Sequence, residues 1–227
     1  MFKTETHMHT SEVSGCGHLT AEEMVEYYHE AGYSTLFVSD HYTPYFFKKK
    51  ADLSFEEAVD AFFEGYRNAV QAAEKYGMTV LPSAELAFEN DPNHYLVYGI
   101  DTDFFKTYPN MLFEGAVKFH DIARANGLLL IQAHPFRDAC RPNPEAVDGF
   151  EIYNSNPRHF LPEDEPQCVE ICEKHGLFMT AGSDSHRPED VAGAGVQTPE
   201  KITSAADYIR ALQSGNFERI YNGQERR

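Results

Sequence analysis

The sequence predicts an α/β fold in which short parallel strands, each followed by a helix, close into a small barrel. Three observations predict it. Strand-like and helix-like segments alternate from end to end, an order that places parallel strands inside a layer of helices. The strand candidates are short apolar or β-branched runs ended by polar or turn residues. Six of the seven candidates are bordered by a side chain that binds metals well, as expected where strand C-termini meet on one functional face.

The elements follow in order. Lys3–Thr6 is the first strand; the helix after it has Thr20 as N-cap, Glu23 three residues on and Gly32 as its stop. Thr35–Ser39 is the second strand, and Ser54 with Glu57 repeats the capping device for a helix running to Gly77. Thr79–Ala84 and Tyr95–Tyr98 are the next two strands. They lie too close for a helix between them, so one irregular or antiparallel step is expected there. Helices over Met111–Ala125, Pro166–His175 and Ser204–Gln213 alternate with strands Leu128–Gln132, Phe150–Tyr153 and Leu177–Ala181. No repeat and no Gly-, Ser- or Pro-rich linker divides the 227 residues, so 1–227 reads as a single domain.

Net charge is −17, from 36 acids against 19 bases, which opposes sequence-independent nucleic-acid binding and predicts no stable nucleic-acid complex. It does not oppose a small phosphorylated substrate, because bound cations dominate their local field. MFKTETHMHT has no charged segment followed by an apolar stretch, and no apolar run reaches membrane-spanning length. A cytoplasmic protein without membrane contact is expected. The four cysteines form no Cys-x-x-Cys pair. Cys168 and Cys172 sit one helical turn apart and read as core; Cys16 lies in a glycine-rich loop near the proposed site, and the sequence assigns it no role.

The metal-binding side chains fall at strand ends. His7 and His9 follow the first strand, Asp40 and His41 the second, and Glu85 the third. His94 opens the fourth, His134 follows the fifth, and Asp184 and His186 follow the seventh. Strand alternation in His7-Met8-His9 puts both imidazoles on one side and Met8 in the packing layer. Asp40 is placed to orient a ligand from behind. Glu85 ends a nearly apolar strand, where an unpaired carboxylate is costly; a carboxylate can also bridge two cations.

This ordered set (His-x-His, Ser-Asp-His, a lone Glu, Ala-His-Pro and Gly-Ser-Asp-x-His) resembles the polymerase and histidinol phosphatase (PHP) superfamily of metal-dependent phosphoesterases. The resemblance runs from His7 to His186. It implies a distorted seven-stranded TIM-like barrel and three divalent metals per chain. His7, His9, Glu85 and Asp184 would hold the first and carry the hydroxide that attacks phosphorus. Glu85, His94 and His134 would hold the second. His41 and His186 would hold the third, with one more ligand from the loop after His9. Here the chain departs from the pattern: Gly15 stands where the family often has His or Asp, which leaves Glu12, favoured on reach, or His18 as the replacement.

The imidazole and carboxylate set suits zinc, manganese or iron. Arg137, three residues past His134, and Arg158 with His159 after the sixth strand are candidate phosphate contacts. Lys48–Lys50 reads as a solvated loop, and His29, His120 and His175 as helical residues without a ligand role. Tyr42, Tyr45, Phe46 and Phe47 either wall the site or cover the barrel end. The expected activity is hydrolysis of phosphate esters. The competing readings are an amidohydrolase-like enzyme, whose usual bridging group is a modified Lys rather than a Glu, and a non-catalytic metal-binding PHP module.

Overall fold

The structure, a computed structural model, describes residues 1–222 and 224–226. In chain order the elements are β1 (Phe2–Met8), α1 (Ala21–Glu30), β2 (Tyr33–Val38), β3 (His41–Tyr42), α2 (Pro44–Lys49), α3 (Phe55–Phe62) and α4 (Glu64–Ala73). Next come β4 (Thr79–Ala87), β5 (His94–Tyr98), α5 (Thr102–Thr107), α6 (Met111–Glu114), α7 (Ala116–Ala125), β6 (Leu129–Ala133) and β7 (Gly149–Asn154). The last are α8 (Asp164–His175), β8 (Phe178–Gly182), β9 (Ala194–Thr198), α9 (Ala205–Ser214), β10 (Glu218–Tyr221) and β11 (Gln224–Arg226).

All seven expected strands form, in one sheet ordered β11-β10-β9-β1-β2-β4-β5-β6-β7-β8. The β1–β2, β2–β4, β6–β7 and β7–β8 pairs are parallel, while β5 runs antiparallel to both neighbours. That is the irregular step expected from the short β4–β5 connection. The ring closes between β8 and β1, through a parallel bridge from Met8 to Ser185 and a bond from Thr6 Oγ1 to the Ala181 carbonyl (2.7 Å). The result is a distorted seven-strand barrel.

The sequence reading omits four strands. His41–Tyr42 pairs with β4 for two residues, and β9 to β11 form an antiparallel extension on the first half of β1. It also joins helices that the chain breaks. The Ser54–Gly77 stretch splits at Phe63, and Met111–Ala125 splits at Gly115, whose φ of 83° lies in the left-handed region. Both expected capping boxes, Thr20 with Glu23 and Ser54 with Glu57, are present.

Packing follows strand alternation. Met8, Leu36 and Val38 face outward onto Met24, Val25 and Tyr28 of α1 and Ala69 and Ala73 of α4. Phe37, on the other face of β2, joins Leu96, Tyr98, Leu129 and Ile131, with Tyr208 and Leu212 of α9 in the same cluster. Tyr42 and Phe46 belong to the cluster under α3 and α5 and cover the barrel, whereas Tyr45 is exposed. Lys48 and Lys49 end α2 rather than lying in a loop. Among the described residues no helix is long and apolar enough to cross a membrane.

The seam between β1 and β8 is tied by Glu5, which is fully buried. Its Oε1 accepts from the amides of Thr6 (2.9 Å), His7 (2.8 Å) and Ser183 (2.9 Å), and its Oε2 from Tyr28 Oη and Ser183 Oγ. Glu5→Ala strands three buried amides, each worth about 1–3 kcal/mol when unsatisfied, so a loss of about 3 kcal/mol or more is expected. Glu5→Gln keeps the acceptor on those amides and turns its –NH₂ to hydroxyls that can rotate to accept, so it costs much less. Urea midpoints compare the two; an alanine loss below about 1 kcal/mol would show that the amides find other partners.

Candidate metal centre

The barrel rim brings the strand-end ligands together around two buried carboxylates. Glu85 Oε2 lies 3.5 Å from His7 Nε2, 3.3 Å from His9 Nε2 and 2.9 Å from His41 Nε2. Glu85 Oε1 lies 2.6 Å from His94 Nδ1 and 3.0 Å from His134 Nε2. Asp184 Oδ1 faces His7 and His9 at 3.5 and 3.3 Å. The rings of His41 and His186 stack on that of His9, with centroids 4.4 and 4.2 Å away. His7, His9, Glu85, Asp184, His94, His134, His41 and His186 thus lie together at the rim.

The donor set fits cations. His7 Nε2, His9 Nε2 and Glu85 Oε2 are buried and have no hydrogen bond, although such atoms normally find a partner. Donors with bonds of about 2.0–2.1 Å to one tetrahedral ion sit about 3.3 Å apart, which is the spacing of His7 and His9 from Glu85 and Asp184. His7, His9, Glu85 and Asp184 each offer one ligand atom within 4.8 Å of the others, and so do His41, Glu85 and His94.

Charge supports the same arrangement. Burial alone would raise Glu85, but the charges of His94 and His41 outweigh it and hold it well below the usual carboxylate range. Asp184 behaves likewise, with His7 as its main partner. Burial, then His186 and His41, push His9 well below an ordinary imidazole, leaving it an unprotonated donor.

Each ligand is aimed from behind. His7 Nδ1 donates to Glu151 Oε1 at 2.9 Å, which leaves Nε2 to face the centre. Glu151 also accepts from the His134 amide (3.1 Å) and Asn154 Nδ2 (2.8 Å). Asp40 acts at one remove: Ser14 Oγ donates to it at 2.6 Å and is 3.3 Å from His9 Nδ1. His186 Nδ1 is taken by the Asp184 carbonyl at 2.9 Å. His134 and Asp184 have φ of 29° and 50°, a region costly for non-glycine residues and often found at functional sites. Gly182 lets β8 pass close to β1, since a Cβ there would lie 2.6 Å from Glu151 Oε1 and from His7 Cβ.

Two expectations, Glu12 and His18, need correction. Glu12 does not reach the centre; both its oxygens accept the Ala21 amide (3.0 and 3.1 Å), so it caps α1. His18 is exposed, and only its backbone touches the site, through a 2.8 Å bond to the His186 carbonyl. His159, expected on substrate, sits 2.5 Å from Asp184 Oδ2 and groups with His134 as a candidate ligand. Arg158 is held at 2.6 Å by Asp190, though it still lines the cavity over the centre. That cavity, about 220 Å³, is lined by Cys16, His41, Arg137, Arg158, His159, His186 and Arg187. Sequence reasoning passed over Glu151, Ser14, Arg187 and the placement of Cys16. Glu151 carries the signal that singled out Glu85, a carboxylate inside an apolar strand.

Fold and site together define a barrel protein whose rim gathers side chains that could hold metal ions. Residues 165–217 match the PHP-associated family. A two-domain protein of Bacteroides vulgatus containing a predicted PHP-like metal-dependent phosphoesterase superposes with TM-score 0.69 at 17% identity, over 97% of this chain and 65% of that one. The chain therefore spans just under two thirds of that relative. An amidohydrolase of Chromobacterium violaceum gives TM-score 0.57 at 16% identity, covering 83% and 89%. The lesion-specific endonuclease EndoQ of Pyrococcus furiosus gives 0.62 at 12%, covering 96% and 57%. No curated protein matches in sequence. The matched segment and this fold agree with the resemblance to the PHP superfamily that the motif order carries.

Glu151→Ala frees the His7 ring while leaving every ligand in place. Loss of such a supporting contact typically weakens metal binding about 10–100-fold. Chelator competition measures it; unchanged affinity would show that packing alone orients His7.

Proposed function

We propose that the chain, acting as one domain over residues 1–227, is a metal-dependent hydrolase of small phosphate esters. One observation carries the reading: a carboxylate-centred cluster of imidazoles opens into a cavity ringed by Arg137, Arg158 and Arg187 in a chain of net charge −17. Guanidinium groups gathered over a metal centre suit the oxygens of a phosphate. The activities named for the similar structures support hydrolysis in general, and the site, rather than the fold, favours phosphate esters.

His7, His9, Glu85 and Asp184 would hold the first cation, Glu85 with His94 and His134 the second, and His41 and His186 a third. Zinc, manganese or iron would serve, providing an activated water and positive charge beside the phosphate oxygens. The protein's own part is to fix the donors, orient the phosphate and shed the cavity's water. Arg137 Nη2 lies 3.2 Å from His94 Nε2. When His94 Nδ1 serves as a ligand, Nε2 carries the ring proton and opposes that guanidinium, which frees Arg137 for the substrate.

Glu85, standing where amidohydrolases usually have a modified Lys, disfavours the amidohydrolase reading, and a nearly filled ligand set disfavours a non-catalytic module. Four free cysteines suit a reducing, cytoplasmic setting. The acidic surface suits a small substrate and not a nucleic-acid strand.

Phosphate esters, amides and lactones assayed with manganese or zinc test the proposal; turnover of only amides or lactones would overturn it. His9→Ala and Asp184→Asn (asparagine tolerates the positive φ) should lower turnover on the order of 10³-fold, the equivalent of several kcal/mol, with the fold kept. Arg137→Ala should raise KM about tenfold with little change in kcat.

A further inference from the structure

We infer that Cys16 Sγ completes, with His41 and His186, a thiolate-bearing site for a third divalent cation. The inference rests on the metal-centre reading above. It changes the ion expected there, because a thiolate favours zinc, iron(II) or cobalt(II) over manganese or magnesium.

The loop after β1 delivers the thiol. Gly17 is indispensable to its path, since a Cβ there would lie 2.9 Å from the Thr10 carbonyl carbon and oxygen. The Gly17 amide bonds the Ser14 carbonyl, and the His18 amide bonds the His186 carbonyl, both at 2.8 Å, so the loop folds back over the rim. Cys16 Sγ then rests 3.6 Å from His41 Nδ1 and lines the same cavity as His186. A sulfur and a nitrogen on one tetrahedral ion, with bonds of about 2.3 and 2.0 Å, stand about 3.5 Å apart. The Asp184 carbonyl occupies His186 Nδ1, so Nε2 is the nitrogen left for a cation.

A second observation points to a ligand at this place. His41 and His186 each offer a donor atom within 4.8 Å of the other, at the edge of the cavity that Cys16 also lines, whereas His9 Nε2 serves the first cation of the proposed centre. The other candidates are committed elsewhere: Glu12 caps α1, the His18 side chain is exposed, and Cys140, Cys168 and Cys172 are buried away from the rim loop. Cys16 follows directly on Gly15, the position where the family pattern led us to expect a ligand.

Metal-free full-length protein titrated with cobalt(II), without substrate, provides the test. A thiolate-to-cobalt charge-transfer band should appear in the near ultraviolet as the last cation binds, and cadmium(II) should give its own sulfur band. Cys16→Ser should lose the band and one cation per chain while keeping the others. Cys16→His should restore the cation without the band. Iodoacetamide should alkylate Cys16 at least tenfold more slowly in the zinc-loaded protein than in the metal-free one. Cations bound with no band in the unaltered protein, or a band that survives in Cys16→Ser, would overturn the inference and leave the phosphoesterase reading intact. A protein that binds no cation would overturn both.

Discussion

The structure turns on a single buried carboxylate. Glu85 lies within 3.5 Å of nitrogens from five histidines, those at 7, 9, 41, 94 and 134. An isolated charge at that depth would be untenable. The surrounding imidazoles hold it ionised, and Asp184, itself buried, balances them from the other side. Because the histidines come from β1, β3, β5 and the end of β6, the cluster requires the barrel to close. Everything behind it, Glu151 on His7 and Ser14 with Asp40 on His9, serves to hold imidazoles that must not all point inward by packing alone.

Most of this centre is legible in the sequence because barrel topology turns strand ends into neighbours. Seven short runs and their bordering residues suffice to place His7, His9, His41, Glu85, His94, His134, Asp184 and His186 on one rim. The reasoning fails where position depends on a loop's path. Reach favoured Glu12, but reach says nothing of competing partners, and the open end of α1 claims its carboxylate. Cys16 approaches the rim only because Gly17 can press against the Thr10 backbone. Likewise β9, in a stretch reading Ala-Gly-Ala-Gly, has little intrinsic strand character and forms because β1 offers an edge. Glu151 was legible, being a carboxylate within a largely apolar strand, the sign that marked Glu85; Glu5, among Lys3, Thr4, Thr6 and His7, carries no such sign.

Charge is distributed to suit a small anion. The chain is acidic overall, yet the cavity over the cluster collects Arg137, Arg158 and Arg187. Asp190 positions two of these elements together, accepting from Arg158 at 2.6 Å and from the amides of His186 and Arg187 at 3.2 and 3.1 Å. A guanidinium fixed in this way loses less freedom when it meets a ligand. If the proposed function holds, the far field would repel extended polyanions while the cavity would attract a compact one, so selection by size would follow from electrostatics as well as from volume.

The ligands and the barrel's closure are physically the same feature. The seam between β8 and β1 is made by Ser185 against Met8, with the His9 amide on the Ser185 carbonyl (3.1 Å). The residues flanking that bridge are His7 and His9 on one strand and Asp184 and His186 on the other. Asp184 reaches the centre only in a backbone conformation with φ of 50°, and Asn156 Nδ2 and His186 Nδ1 both bond its carbonyl to keep it there. The chain therefore places its least relaxed backbone where both strands must meet. A cation drawing His7, His9 and Asp184 together would act across the same seam that Glu5 ties from beneath, so metal affinity and barrel stability share one set of contacts.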